Sequence, residues 1–243
     1  IKMLEKIGKL LTSAWAVFTI AILLTLLYIQ NPIIVQTLQL KTFDFLIKTI
    51  EPKESDEIII VDFGEKSVQK FGQWPFDRRD IASVIQKLRD NEASVITIPI
   101  LFSEKDRAGG DEVLQEKLKY GTVIAQTPTT QISNPDAVRR GFSAIGLTKP
   151  IDYVFRWPGG LRPLDQFASN ANGVGVIATV PEIDGVVRRM PLLVSIANNL
   201  YPSISLETIR VSTDNKSFQV KTSEAGIEFV RVPGIPPVAT DER

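Results

Sequence analysis

A run of twenty residues without a charged side chain, from Leu10 to Ile29, constrains this chain more than any other feature of its sequence. About twenty apolar residues in a helix cross the roughly 30 Å hydrocarbon core of a bilayer. The polar residues of the run are threonines and one serine, too mild to form the polar stripe of a buried amphipathic helix. A signal peptide would have a shorter apolar region that ends in small residues. We therefore predict a transmembrane helix over residues 10–30.

The residues before this run predict its orientation. Lys2, Lys6 and Lys9 precede it, and Glu5 is the one acidic residue among them. The positive-inside rule then places residues 1–9 in the cytoplasm. The chain after the helix is expected to lie outside the inner membrane, in the periplasm.

The stretch from Ile58 to Leu88 is predicted to form a strand, an aromatic loop and a helix. Ile58–Val61 is a β-branched run typical of a strand buried on both faces. Asp77 stands at the N-cap position of the helix, whose apolar residues follow at helical spacing. Between strand and helix, Phe71–Phe76 contributes bulky rings next to a Trp-Pro pair. This order predicts the first half of a parallel βαβ unit.

Later segments extend this unit into a sheet. Val95–Phe102 and Thr122–Ala125 are predicted strands, and Asp111 is predicted to cap the helix between them. The runs on either side of Asp184-Gly185 predict a hairpin, because Asp-Gly favours a tight turn. A helix from Tyr201 to Arg210 and a last hairpin follow. The fold class is α/β, with a mixed, largely parallel central sheet flanked by helices and attached to one N-terminal transmembrane helix.

Composition excludes several kinds of chemistry. The chain has no His and no Cys, so it lacks Ser-His and Cys-His nucleophiles and the usual zinc ligands. Its 28 Lys and Arg residues balance its 28 Asp and Glu residues, so no net charge attracts nucleic acid. We therefore expect no catalytic residue, no cofactor, no metal and no nucleic-acid partner in this chain.

Charged residues near the predicted strand ends are the candidates for a ligand pocket, because open α/β sheets bind ligands at the carboxyl ends of their strands. Trp74 and Arg78 could form a stacked pair that faces the same ligand. For the carboxylates and for the Trp74–Arg78 pair alike, a structural role is favoured over ligand binding. The carboxylates would then be solvated or cap helices, the tryptophan would fill the core and the arginine would pair with a carboxylate. The candidates are Asp62, Glu65, Trp74, Arg78, Glu104 and Asp111, with Asp106 beside them.

An ordered set of short motifs resembles the type-two CHASE domain, the cyclase- and histidine-kinase-associated extracytoplasmic sensor. The resemblance covers about residues 41–243, and the set is more specific than any one of its members. The motifs are Lys41–Leu46 (KTFDFL), Val61–Ser67 (VDFGEKS), Gly72–Arg78 (GQWPFDR), Leu101–Asp106 (LFSEKD), Ile183–Leu192 (IDGVVRRMPL) and Leu200–Ser203 (LYPS).

This resemblance implies a sensor that passes a signal through the membrane to a cytoplasmic output in a longer protein. The output expected is a class III adenylate or guanylate cyclase, with a histidine kinase or a diguanylate cyclase as alternatives. A membrane-anchored structural subunit and a periplasmic enzyme that uses only carboxylates remain open. Expected partners are the lipid bilayer, a second copy of the chain through the membrane and stalk helices, and an unknown small ligand or protein. The expected regions are the flank 1–9, the transmembrane helix 10–30, the stalk 31–52 and the sensor domain 53–243.

Overall fold

The computed structural model describes residues 14–52, 55–131, 141–146 and 148–240. The chain divides into two compact units. Unit one combines Ile1–Ile60 with Pro181–Arg188, and unit two combines Val61–Val180 with Arg189–Arg243.

Unit one is built on two helices, α1 (Ala14–Gln30) and α2 (Ile33–Lys48). No residue of either helix is buried. Neither described helix is both long and apolar enough to cross a bilayer alone, although the two pass the test together as a pair bent by 86°. The predicted helix is thus confirmed over Ala14–Gln30, residues 10–13 lie outside the described residues, and the membrane span stays a prediction.

Helix α2 confirms that residues 31–52 contain a helix. We call it the stalk helix, and its role as a stalk stays a prediction. Its N-cap is Pro32 and not Asn31, and no side chain caps it. The apolar side chains expected to dock this helix remain largely exposed, Leu46, Ile47 and Ile50 among them.

The helices of unit two are short and flank its strands. They are α3 (Glu65–Phe71), α4 (Arg78–Asp90), α5 (Asp111–Lys117), α6 (Asp165–Ala168) and α7 (Ile204–Ser212). The strands are β1 (Ile96–Ile98), β2 (Thr122–Thr129), β3 (Gly141–Ile145), β4 (Arg156–Trp157), β5 (Gly159–Leu161), β6 (Gly173–Val176), β7 (Leu193–Ile196), β8 (Asn199–Pro202), β9 (Ser217–Thr222), β10 (Ile227–Arg231) and β11 (Val238–Ala239).

The first sheet has β2 at its centre. Strands β1 and β6 run parallel to β2 on opposite sides, and β5 pairs antiparallel with the last residues of β2. A second sheet has the order β11-β10-β9-β3, and a third has the order β4-β7-β8. Both mix parallel and antiparallel pairs. The mixed α/β fold with flanking helices is confirmed. Three mixed sheets stand in place of one largely parallel central sheet, and the first of them contains the parallel β1-β2-β6 ladder.

Each of the first two sheets has its own apolar core. Helices α4 and α5 pack on the first sheet through Ile85 and Leu114, with Phe167 of α6 in the same cluster. The second core lies around Phe218 and Val230 of the second sheet. The amphipathic helix predicted after Asp77 is thus confirmed as the cover of the parallel ladder.

A buried ion pair joins α7 to β6. Glu207 is fully buried, and Arg210 donates Nε to its Oε2 and Nη2 to its Oε1, each at 2.8 Å. Arg210 also donates to the carbonyl oxygens of Asn172 and Asn215. These bonds satisfy both buried charges and hold the start of the third parallel strand against α7.

Three predictions about local structure are wrong. Ile58–Val61 is not a strand, and Ile60 is 88% exposed, because a β-branched run becomes a strand only where it finds a partner strand. The flanks of Asp184-Gly185 do not form a hairpin, since β6 and β7 belong to different sheets, although Gly185 does occupy a turn with φ of 80°. Asp111 is the first residue of α5 and not its cap.

Candidate ligand-binding pocket

A cavity of about 770 Å³ opens in unit two beside the carboxyl ends of the parallel strands. Pro99 follows β1 and ends it, since proline lacks the N–H that would continue the ladder. Thr127 follows the parallel part of β2, and Ile177 follows β6. The ends of all three strands therefore contribute to one cavity, which is where open α/β sheets bind their ligands.

The cavity wall is mainly apolar, and most of its polar residues come from a single loop. Phe76, Ile81 and Phe102 are its buried members. Ile100, Leu101 and Ile177 are more exposed members of the same wall. The loop that follows β1 supplies Ser103, Glu104, Lys105, Asp106, Arg107 and Ala108.

Arg78, the first residue of α4, holds this loop in place. Its side chain is buried, and it donates Nη1 to the carboxylate of Asp111 and Nη2 to the backbone oxygen of Glu104. Its guanidinium also lies 5.5 Å from the ring centroid of Phe102 and 4.9 Å from that of Phe167. With two neighbouring rings beside it and both terminal nitrogens bonded, Arg78 is a structural residue that fixes the wall of the cavity.

Asp106 folds the rest of the loop around its own carboxylate. Backbone N–H groups of Gly110 and Ala108 donate to it at 2.9 and 3.3 Å, and that of Arg78 at 3.5 Å. The N–H of Asp106 in turn donates to the carboxylate of Asp111 at 3.1 Å. This explains why Asp111 does not cap α5: its oxygens accept bonds from Arg78 and Asp106.

Asp77 caps α4 as the sequence predicts. Its carboxylate accepts the backbone N–H of Arg79 at 2.8 Å and also the Arg79 guanidinium, whose Nη2 lies 2.7 Å from Oδ2. These side-chain and backbone hydrogen bonds lower the pKa of the Asp77 carboxyl. Arg79 donates as well to the carbonyl oxygen of Ala108, so the cap and the loop are joined.

Aromatic rings form the side of the cavity next to α4. The ring of Trp74 meets that of Phe76 edge to face with centroids 5.3 Å apart, and Phe63 lies 5.4 Å from Phe76. Phe76 is 5% exposed, whereas Trp74 is 49% exposed and lines the cavity. The expectation that Trp74 fills the core is therefore wrong, and Phe76 takes that place.

The predicted pocket residues fall into three groups. Trp74, Arg78 and Glu104 line the cavity, and Asp111 touches it through Arg78. Asp62 and Glu65 are exposed and are not part of its wall, because the strand predicted to present them does not form. Within the described ranges, no group of three carboxylates is arranged to hold a metal ion.

Sequence reasoning missed the cations of the same loop. Lys105 and Arg107 line the cavity and are exposed. Their signal in the sequence is the alternation of opposite charges from Glu104 to Arg107.

A second cluster of charges lies in unit one, where the segment Pro181–Arg188 contacts the stalk helix α2. Arg188 donates Nε to Oδ1 of Asp44 at 2.7 Å and Nη2 to Oδ2 at 2.9 Å. It also makes two bonds of 2.8 Å to the carboxylate of Asp184. The Arg188 side chain is only 4% exposed, and its hydrogen bonds hold the pKa of the Asp184 carboxyl well below its usual range. We call Asp44, Asp184 and Arg188 the stalk clamp.

The stalk clamp brings together two of the motifs found in the sequence, Lys41–Leu46 and Ile183–Leu192. The family model of the CHASE2 domain matches residues 17–241, nearly the whole chain. The chain belongs to the CHASE2 family.

CHASE2 domains are extracytoplasmic sensory domains of signalling proteins, so this chain has a sensory role. No curated protein and no solved structure matches the chain significantly. The resemblance drawn from the short motifs is thereby confirmed for the family. The kind of output to which this CHASE2 domain is joined is a separate question.

Proposed function

We propose that this CHASE2 domain is the extracytoplasmic sensor of a membrane-bound class III adenylate cyclase, and that it binds a small ligand in the cavity beside β1, β2 and β6. Ligand binding alters the stalk α2, and α1 carries the change through the inner membrane from the periplasm to the cytoplasm. Residues 10–30 are the span in this proposal, with residues 1–9 in the cytoplasm.

The observation that carries this proposal is the stalk clamp. Arg188 binds Asp44 of α2 with two hydrogen bonds, and paired bonds of this kind fix orientation as well as distance. The chain continues from Arg188 through four residues to β7. A displacement of β7 could therefore be transmitted through these four residues to Arg188, which binds the stalk helix. A flexible tether would need no such grip.

We further propose that the receptor works as a homodimer through α1 and α2. Class III cyclases, in the family that the motifs resemble, form their active sites between two catalytic domains. A change in how two stalks pair would therefore change the output. The exposed apolar side chains of α2, such as Ile33, Ile34 and Leu38, support this pairing.

The proposal is tested by changing the helical phase between α1 and α2. In the full-length protein in its membrane, one to four alanines are inserted after Pro32 and cyclic AMP production is measured. Each added alanine rotates α2 relative to α1 by about 100°, so two insertions produce the largest misalignment and four return close to the original phase. We expect activity to follow this phase.

The matched control places the same alanines in the turn after Glu224, where chain length changes and the phase of α2 does not. Equal activity across the Pro32 series would show that the domain is only an anchor. A wild-type protein that makes no cyclic AMP under any condition would refute the adenylate cyclase output and leave the guanylate cyclase, histidine kinase and diguanylate cyclase alternatives.

A further inference from the structure

The charges inside the cavity divide into those that are already paired and those that are free for a ligand. Arg78 is engaged by Asp111 and by the backbone of Glu104, and Asp77 is engaged by Arg79. The Asp106 carboxylate accepts backbone N–H groups of its own loop. A ligand that bound Arg78 or Asp77 would displace its ion-pair partner, and the Asp106 oxygens are already occupied by backbone N–H groups although the carboxylate keeps its charge.

The free charges are on the exposed part of the loop. Among the residues that the structure describes, the side chains of Lys105, Arg107 and Glu104 make no ion pair or hydrogen bond, although all three line the cavity. The Glu104 backbone does bond to Arg78, but its carboxylate does not. The charges of Lys105 and Arg107 equal those of Glu104 and Asp106 in number, but both cations are unpaired among the described residues, so an acidic ligand can bind them without displacing a bond of the wall.

The apolar part of the cavity offers a surface for a ring. Trp74 is half-exposed, and its ring is held edge to face against the buried Phe76, so one part is fixed and the rest is open. Such a ring stacks on a flat ligand or attracts a cation. The two neighbouring cations disfavour a cationic ligand. The remaining partner for Trp74 is therefore a flat, uncharged ring system.

We propose that the ligand is a small organic anion, with an aromatic ring that stacks on Trp74 and an acidic group that binds Lys105 and Arg107. The volume of about 770 Å³ lies within the range of sites for drug-sized ligands. This inference rests on the proposed sensor function and names the chemical class that the sensor detects.

The test compares three naphthalene probes of equal shape and different charge: 2-naphthoate, 2-naphthamide and 2-naphthylmethylammonium. Their binding to the full chain in nanodiscs is measured by isothermal titration calorimetry, with empty nanodiscs as the blank for partition into lipid. We expect naphthoate to bind about tenfold more tightly than naphthamide, since two exposed charge pairs contribute modestly. The ammonium probe is expected to bind most weakly.

Variants assign the preference to named residues. Lys105→Gln with Arg107→Gln should weaken naphthoate binding about tenfold and change naphthamide binding by less than twofold. Glu104→Gln, the control of opposite sign, should strengthen naphthoate binding about twofold to threefold. Trp74→Ala should weaken all three probes. These side chains are exposed or half-exposed, so the variants keep the fold.

Equal affinity of the three probes, no heat from any of them, or a naphthoate affinity that survives the double substitution would each overturn this ligand class. These outcomes leave the dependence of cyclic AMP on stalk phase untouched. Conversely, a chain that prefers naphthoate but whose output ignores the phase of α2 would retain the ligand class and lose the proposed function.

Discussion

Arg188 and Asp44 are separated by 144 positions in the chain, and two hydrogen bonds of 2.7 and 2.9 Å join them. Asp44 lies on the stalk helix α2, whereas Arg188 ends the segment that leads to β7. With Asp184 bound to the same guanidinium, the two carboxylates surround one cation and fix its plane. This contact is the most direct link between the stalk and the segment Pro181–Arg188.

The first prediction is that Arg188→Lys loosens this link while keeping the charge. A lysine ammonium cannot form two parallel bonds to each of two carboxylates. The chain has no Cys, so Lys48→Cys and Ile183→Cys provide the only two sites for spin labels. Pulsed electron resonance should give a narrow distance distribution in the parent and a broad one with Arg188→Lys.

The control for this experiment is Lys41→Gln. Lys41 lies 3.9 Å from Asp184 and is mostly exposed, so its loss should leave the distribution narrow. Equal distributions for the parent and Arg188→Lys would show that the clamp does not fix the stalk.

The second prediction is that acid releases the stalk clamp. Hydrogen bonds from Arg188 lower the pKa of the Asp184 carboxyl below its value of about 4 in the unfolded chain. The carboxylate form is therefore favoured by folding, and its stabilising effect is complete above about pH 4 and is lost as the pH falls through the lowered pKa. The distance distribution should stay narrow at pH 5 and broaden well below pH 4. A narrow distribution in Asp184→Asn at pH 7 would assign the effect to another group.

Local signals allowed three helices of unit two, α4, α5 and α7, to be predicted from sequence. The pairing of strands depends on residues far apart in the chain and was predicted less well. Asp77 and Ser203 do cap α4 and α7, because a cap bonds to backbone a few residues away. Ile58–Val61 has the composition of a strand, but composition does not state where a partner strand lies. Nothing local in the sequence indicates that Asp44, 144 positions away, supplies a carboxylate to Arg188.

The pocket was predictable in position and less so in its chemistry. Strand ends pointed to Glu104 and Asp111, and both do meet at the first turn of α4 through Arg78. Which charges stay free depends on which partners the fold brings together. The Asp111 carboxylate is already bound by Arg78, whereas the Lys105 side chain has no partner in the described part of the chain.

The third prediction concerns topology. The lysines before residue 10 predict that the N-terminus lies in the cytoplasm and the domain outside. Lys6→Cys and, separately, Ala225→Cys are expressed in intact cells and treated with a membrane-impermeant maleimide. We expect labelling at position 225 and none at position 6. The reverse pattern would invert the proposed orientation, and labelling of Lys6→Cys after cell lysis is the control for reactivity.

The fourth prediction separates the two central rings of the aromatic cluster. Phe76 is buried, so Phe76→Ala should lower the free energy of unfolding by about 3–5 kcal/mol. Trp74 is half-exposed, so Trp74→Ala should lower it by only about 1–2 kcal/mol. Denaturant melts of the two variants of the full chain, followed by circular dichroism, give both values. A loss of unfolding free energy for Trp74→Ala as large as that for Phe76→Ala would show that Trp74 is a core residue and not part of the ligand surface.

The last prediction is that Gly110 is required because no side chain fits there. A Cβ atom at this position would lie 2.9 Å from the backbone nitrogen of Arg79 and 2.9 Å from carboxylate oxygens of Asp77 and Asp106. Those oxygens accept the bonds that start α4 and close the loop. Gly110→Ala must therefore displace the cap, the loop or both, at a cost of about 1–3 kcal/mol.

Gly109→Asn is the matched control, because a Cβ at Gly109 has nothing within 4 Å and asparagine tolerates its φ of 78°. Denaturant melts should show a loss for Gly110→Ala and almost none for Gly109→Asn. Because the displaced loop carries Lys105 and Arg107, Gly110→Ala should also reduce the preference for naphthoate over naphthamide. If Gly110→Ala were as stable as the parent and kept this preference, the network of Asp77 and Asp106 would not be what positions the cations of the pocket.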